Sequence, residues 1–252
     1  VNMFPDSLAE EKLSLVEGQI RPSLSLIINT SHDFIILSHR ITKSIVRICK
    51  RMTYDQVDEN LEKEDRDLTT LYNIAVAHDE FRLNQGAQRL DKHEAIVFPR
   101  EDGGLRLLVI DESSPARMMI GEMMVIYNRL LSEFAVKNNL PLPFRGQPPS
   151  DNTETPNVPQ GPAYDYLLRS RLKRSVVTTE PKFHATLGLN AYAQISSPIR
   201  RYGDIISQRQ IINFLDKKEA LYSKEEINNI LKELEEPLTK VNLINRESKR
   251  YW

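Results

Sequence analysis

The stretch Ala191-Tyr-Ala-Gln-Ile-Ser-Ser-Pro-Ile-Arg-Arg-Tyr-Gly-Asp204 decides how the rest of the chain is read. Ser197 before Pro198 predicts a helix start, with serine as the cap and proline in the first helical position, where its missing N–H costs nothing. Arg200 and Arg201 then fall at the third and fourth positions, beside backbone N–H groups without intrahelical partners. Two exposed cations at the positive end of a helix dipole cost about 0.3–1 kcal/mol each. A bound anion reverses that sign, because backbone donors, dipole and two guanidinium groups converge on the same oxygen atoms, and phosphate is the natural candidate. The competing reading needs no ligand: Asp204, at i+4 from Arg200 and i+3 from Arg201, neutralises one arginine in a surface pair. On the residues alone the two readings are evenly matched.

Upstream, Pro141 to Pro162 holds seven of the fourteen prolines, which predicts a long surface loop or lid with no compact core inside it. Ser114-Pro115 predicts a capped helix running to about Asn138. Ala95–Phe98 and Leu105–Ile110 around Asp102-Gly103-Gly104 predict a hairpin. Leu68, Leu71, Tyr72 and Ala75 recur at helical spacing and predict a helix from about Asp65 to near Gln85. Ser23–Asn29 and Asp33–Ser38 read as strands joined by Thr30-Ser31-His32. Downstream, a helix from about Lys224 must break or kink at Pro237. Strands first and helices later predict an α+β fold, N-terminal antiparallel strands followed by a helix-rich C-terminal half. The expected division is a strand and helix part over 1–113 and a helical part over 114–252 that carries the Pro-rich loop 141–162.

The chain has 252 residues, 27% of them charged, and opens on Val1. That length suits one large domain or two small ones, and the opening residue suits a piece of a longer protein. No apolar run approaches the roughly 18–20 residues of a membrane span. A single cysteine, Cys49, excludes an internal disulfide framework and any Cys-based zinc site. The net charge of −1 argues against a nucleic-acid partner, but the charges are segregated. Arg40 to Tyr54 carries Arg40, Lys43, Arg47, Lys50 and Arg51 and no acid, and Asp165 to Gln210 is also basic, whereas Asp55 to Asp67 is acidic.

Other residues invite chemistry. On a helical wheel Arg117, Gly121, Glu122, Asn128, Arg129, Ser132 and Glu133 form one polar stripe, which faces either water or a groove where Glu122 accepts from a ligand hydroxyl. Tyr54, at a strand-to-helix junction after the basic run, is either a packing tyrosine or a platform for a base. His184 has no second histidine or cysteine at metal-ligand spacing and reads as structural or as a phosphate contact. A Gly-rich phosphate loop, a Gly-x-Ser-x-Gly elbow and a His-Glu-x-x-His helix are all absent from the sequence.

Taken together, the segments resemble a known family. Tyr192 to Asp204 is similar to the Ser-Pro-Ile-Arg-Arg-Tyr signature in the catalytic (RNB) domain of the ribonuclease II and ribonuclease R family. Five further segments follow the family's order: Arg51-Met-Thr-Tyr-Asp-Gln-Val57, Arg82-Leu-Asn-Gln-Gly-Ala87, Ser114 through Glu122-Met-Met to Asn128, Leu140-Pro-Leu-Pro-Phe-Arg145 and His184-Ala-Thr-Leu-Gly-Leu189. Gln194, in a place commonly held by histidine, resembles the cyanobacterial and plastid branch. Gln208 departs from a common histidine, and Tyr127 from a usual small residue.

The resemblance implies hydrolytic 3′-to-5′ degradation of single-stranded RNA to nucleoside 5′-monophosphates. It implies magnesium ions in the whole enzyme, held by an aspartate cluster upstream of this chain, so that no metal ligand is expected within it and the chain alone is expected to be inactive. It further implies flanking OB-fold RNA-binding domains, no membrane association, and a bacterial cytoplasmic or plastid setting. Carried over residue by residue, Arg200 would neutralise charge on the scissile phosphate. Arg201 and Tyr202 would hold the adjacent backbone or the helix end, Ser197 and His184 would lie at the RNA site, Tyr54 would stack on a terminal base, and Glu122 would accept from a 2′-hydroxyl. The rival expectations are a catalytically inactive RNA-binding or partner-binding module, and a basic groove that takes any polyanion.

Overall fold

The computed structural model describes residues 3–89, 94–100, 103–110, 114–152, 157–159 and 161–251. Strands β1 (Ile20–Thr30) and β2 (Ile36–Arg47) form an antiparallel ribbon, paired from Ile20 with Arg47 to Asn29 with Ser38. The second strand therefore lies later than the predicted Asp33–Ser38. Ser31 closes the turn instead: its N–H donates to the Ile35 carbonyl at 2.8 Å, its hydroxyl accepts from the Ile35 N–H, and Phe34 takes a positive φ of 61°. The basic run extends the ribbon, with Arg40, Lys43 and Arg47 exposed and Ile41 buried beneath them.

Helix α1 (Tyr54–Glu62) starts at a capping box between Thr53 and Gln56. Helix α2 (Arg66–Asn84) is capped by Asp65, and α3 (Pro115–Lys137) by Ser114, as their sequences predict. Between them β3 (Glu94–Pro99) and β4 (Leu105–Ile110) form the expected hairpin, although Asp102 of its turn lies outside the described residues. A short antiparallel pair, β5 (Phe144–Gly146) with β6 (Val176–Thr178), encloses α4 (Pro162–Ser170). Two helices end the chain, α5 (Tyr202–Lys217) and α6 (Lys224–Tyr251).

The core is built around α3. Leu131 and Ala135 pack with Leu140, Leu142, Phe144, Ala193, Ile195, Ile211 of α5 and Ile41 of β2. Ile126 and Leu130 pack with Ile74 of α2 beneath the β1–β2 ribbon. Each large side chain so buried contributes on the order of 1.5–3 kcal/mol. The strand-rich and helix-rich parts of the chain thus share one interior.

One expectation is corrected here and another is narrowed. The Pro-rich segment does contain core: Leu142 and Phe144, either side of Pro143, are buried, as is Leu140 just before the segment. Residues 153–156 and 160 of the same segment lie outside the described residues. Of the break or kink expected at Pro237, the break is absent: α6 runs through it. The proline removes the donor to the carbonyl of Glu233, but that turn is exposed and water can satisfy the oxygen.

Candidate nucleic-acid interface

Extended residues 192–197 are hung between α3 and α5 by side chains. Ala193 N–H donates to Ser132 Oγ at 2.7 Å, Ile195 N–H to Asn128 Oδ1 at 2.9 Å, and Asn128 Nδ2 to the Tyr192 hydroxyl at 3.0 Å. From the other side, Gln208 Nε2 donates to the Ile195 carbonyl at 2.8 Å. The polar stripe of α3 is accordingly not a solvated face here: Asn128 and Ser132 are buried, and each accepts from a backbone N–H of another segment.

The helix predicted from Ser197 begins later. Ser197 instead opens a tight turn, its carbonyl accepting from the N–H groups of Arg200 and Arg201 at 3.2 and 3.1 Å. Arg201 is extended (φ −133°, ψ 119°) and occupies the N-cap, so Tyr202 is the first helical residue and Asp204 lies in the first turn. The acid thus takes the place favoured by the dipole. Asp204 is buried and bonds Arg201 Nη2 at 2.8 Å, so the ligand-free reading holds for Arg201. Arg200 is different. It is exposed, its Nη2 reaches only Ser197 Oγ at 3.3 Å, and among the described residues it has no carboxylate partner.

Arg200 and Ser197 line a groove of about 860 Å³ together with Lys43, Gln208 and the apolar walls Leu24, Ile120, Met123, Met124 and Ile199. Ile120 also lines a cavity of about 740 Å³ containing Arg51, Thr53 and Tyr54. The two hollows therefore share Ile120 of α3 as a wall residue, with Arg200 on one and Tyr54 on the other. Tyr54 is 39% exposed, with the Arg117 guanidinium 4.2 Å from its ring centroid. Its helix is anchored by Asp58, which accepts from Ser114 Oγ and from the Ala116 N–H at 2.7 Å.

Three other sequence candidates lie elsewhere. Glu122 faces neither water nor the groove: it is buried between α2 and α3, where Arg82 and His78 occupy both carboxylate oxygens. Tyr202 is exposed at the start of α5 and does not line the groove. His184 is buried, edge-on to Tyr192 at 5.7 Å, with its Nδ1 unpartnered. Burial, assisted by the Arg145 charge, pushes its imidazole down to about 4, so at neutral pH it is uncharged and offers a phosphate a neutral N–H donor rather than a cation.

A folded-state value below the unfolded one means that protons bind preferentially to the unfolded chain. The His184 contribution is thus complete above about pH 6.5 and is lost as pH falls towards 4. His184→Gln is expected to flatten the acid limb of a plot of denaturation midpoint against pH over that window. An unchanged limb would refute the assignment.

Sequence patterns did not flag Asn128, Ser132, Gln208, His78 or Arg82 as site-building. The signals for three of them were the polar stripe of α3, which holds Asn128 and Ser132 at i,i+4, and the Arg82-Leu-Asn-Gln-Gly-Ala87 segment, but neither names a partner. No group of three His, Cys, Asp or Glu side chains converges as a metal site among the described residues, and none of their helices is long and apolar enough to cross a membrane.

The family model described as the RNB domain matches residues 1–161 and 152–217. An uncharacterized ribonuclease of Synechocystis is 32% identical over 100% of this chain and 39% of its own length. Ribonuclease II, chloroplastic/mitochondrial, of Arabidopsis thaliana is 29% identical over 99% of this chain and 32% of its own length. The chain thus spans under two-fifths of these curated relatives. Among solved structures, the apo form of Mycoplasma genitalium RNase R superposes with a TM-score of 0.81 at 21% identity, covering 97% of this chain and 45% of that one. The same protein in complex with ribose methylated single-stranded RNA gives 0.78 at 21% identity, with the same coverage. Both share its fold.

Proposed function

This chain belongs to the RNB domain family, and from that premise we propose that it is part of an exoribonuclease that hydrolyses single-stranded RNA from the 3′ end to nucleoside 5′-monophosphates. The relatives' names supply the ribonuclease class. The observation that carries the local assignment is Arg200, an arginine without a carboxylate partner among the described residues, on the wall of a groove that adjoins the Tyr54 cavity. In this reading Arg200 meets a backbone phosphate through a charge-assisted hydrogen bond. Tyr54, already stacked against Arg117, offers a platform to a terminal base. Arg201 supports the turn. Glu122 and His184 act through the fold.

Magnesium, implied by the family resemblance for the whole enzyme, finds no fitting ligand set among the described residues. Hydrolysis, flanking OB-fold domains and a bacterial cytoplasmic or plastid setting are proposals for the whole polypeptide.

Arg200→Ala is expected to weaken binding of a fluorescein-labelled single-stranded oligoadenylate by roughly ten- to a hundredfold, the worth of one charge-assisted contact. It should also flatten the dependence of log K on log salt by about 0.7. Fluorescence anisotropy across a salt series measures both. Binding equal to wild type would reject the role of Arg200, and equal affinity for DNA would favour a general polyanion groove.

A further inference from the structure

Asp204 is a negative charge, 1% exposed, set just behind a wall proposed to receive a polyanion. On bulk electrostatics it is misplaced, since it should repel the ligand that Arg200 attracts. Its contacts explain its presence. A single oxygen, Oδ2, accepts from the Ser197 N–H at 2.7 Å and from Arg201 Nε and Nη2 at 3.1 and 2.8 Å. Ser197 in turn holds Arg200 twice: its carbonyl accepts from the Arg200 N–H at 3.2 Å, and its hydroxyl from Arg200 Nη2 at 3.3 Å. Arg201 also bonds Ser196 Oγ at 3.4 Å, closing the turn from the far side.

We infer that Asp204 is the positioning residue of this site: together with Arg201 it forms a charge-neutral clamp that fixes Ser197 and thereby aims Arg200 into the groove. The inference rests on the reading of Arg200 as the phosphate contact. It also gives the two adjacent arginines different tasks. Arg201 spends its charge on Asp204, which leaves the pair nearly invisible to a distant phosphate. Arg200, with only a serine hydroxyl to bond, keeps its charge for the ligand. Because the clamp is built before any ligand arrives, Arg200 loses less conformational freedom on binding.

The clamp and the bulk field predict opposite signs. Asp204→Asn keeps the size of the side chain and an acceptor for the Ser197 N–H, but removes the ion pair with Arg201. If Asp204 only contributes charge, deleting it tightens RNA binding. If it aims Arg200, binding weakens.

The test is oligoadenylate binding by anisotropy over a salt series for wild type, Arg200→Ala, Asp204→Asn and the double variant, with the exposed charge deletion Glu247→Gln as control. The expected result is that Asp204→Asn loses most of the affinity lost by Arg200→Ala, that its salt slope falls by a similar amount, and that the double variant is no weaker than Arg200→Ala alone. An affinity equal to or above wild type, losses that multiply in the double variant, or lowered stability with an unchanged salt slope would each overturn the inference. If Arg200→Ala binds like wild type, the reading of Arg200 fails and the clamp loses its purpose with it. Should Asp204→Asn not fold, Ser197→Ala supplies the second measurement. It removes the hydroxyl contact to Arg200 and is expected to lower affinity and salt slope with an unchanged thermal midpoint, and undiminished binding would again reject the inference.

Discussion

Glu122→Ala is expected to lower folding stability by about 3–5 kcal/mol, because it leaves a buried arginine and a buried histidine without their shared acceptor. Glu122, Arg82 and His78 are all at most 7% exposed. Arg82 makes a two-pronged pair with Glu122, Nε to Oε2 at 3.0 Å and Nη2 to Oε1, while its Nη2 also meets Asp79 at 3.1 Å. His78 Nδ1 lies 2.8 Å from Glu122 Oε2. That second contact has the distance of an ion pair, but burial lowers the His78 imidazole more than Glu122 raises it. A neutral ring donating Nδ1–H is the consistent assignment, and it accounts for the unpartnered Nε2, an acceptor beside the ring of Phe81.

For Glu122, burial pushes the carboxyl up, yet the hydrogen bonds from His78 and Arg82 outweigh it and leave the group below its usual range. The folded value being depressed, this contribution is present above the unfolded carboxylate range and disappears as pH falls through the folded value. The variant should therefore differ most from wild type at neutral pH and least in acid. Urea denaturation at two pH values reads both, and a loss below about 1 kcal/mol at pH 7 would contradict the buried network. Glu122→Gln, which keeps the shape but not the charge, should fall between the two.

What could be read from the sequence divides along a physical line. Local chemistry was legible: Ser114-Pro115 and Asp65 start helices where predicted, because a cap is an interaction between residues two or three apart. Contacts between distant segments were not. The Ser197-Pro198 pair has the same local signature as Ser114-Pro115, yet the Ser197 N–H is taken by Asp204, seven residues on, and the helix starts four residues later than a proline at the first position would require. The polar stripe of α3 gave the right face and the wrong partner, because periodicity separates polar from apolar but cannot say whether the polar side meets water or Arg82 and the Ile195 backbone. Leu140, Leu142 and Phe144 were masked by the prolines between them. Arg200 does lack a carboxylate partner among the described residues, although the helix position that argues for it in the sequence does not exist in the fold.

Gly188→Ala carries the other large expected effect. Gly188 adopts φ +65°, and a Cβ there would lie 2.7 Å from the Arg82 carbonyl oxygen, 2.8 Å from the Ala87 N–H nitrogen and 3.2 Å from the Ala87 side chain. The obstructing atoms are backbone at the end of α2, where the same Arg82 carbonyl accepts from Gln85 and Ala87, so nothing flexible can yield. The loop must move away. Doing so breaks the Gln88 N–H to Thr186 carbonyl bond at 3.1 Å and the Arg82 Nη1 to Leu187 carbonyl contact at 3.3 Å. Left-handed strain of roughly 1–2 kcal/mol adds to those losses, and the sum is about 3 kcal/mol or more. Gly86→Ala separates the two causes, since it has a similar φ of +87° but no atom within 4 Å of where its Cβ would lie, and should cost only the backbone strain. Denaturant midpoints of the two variants side by side decide the matter. Equal losses would mean that the close approach between the 184–189 loop and α2 does not hold the fold. An excess in Gly188→Ala, accompanied by weaker oligoadenylate binding, would show that this approach supports the groove through His184, Tyr192 and the segment that Tyr192 shares with Asn128.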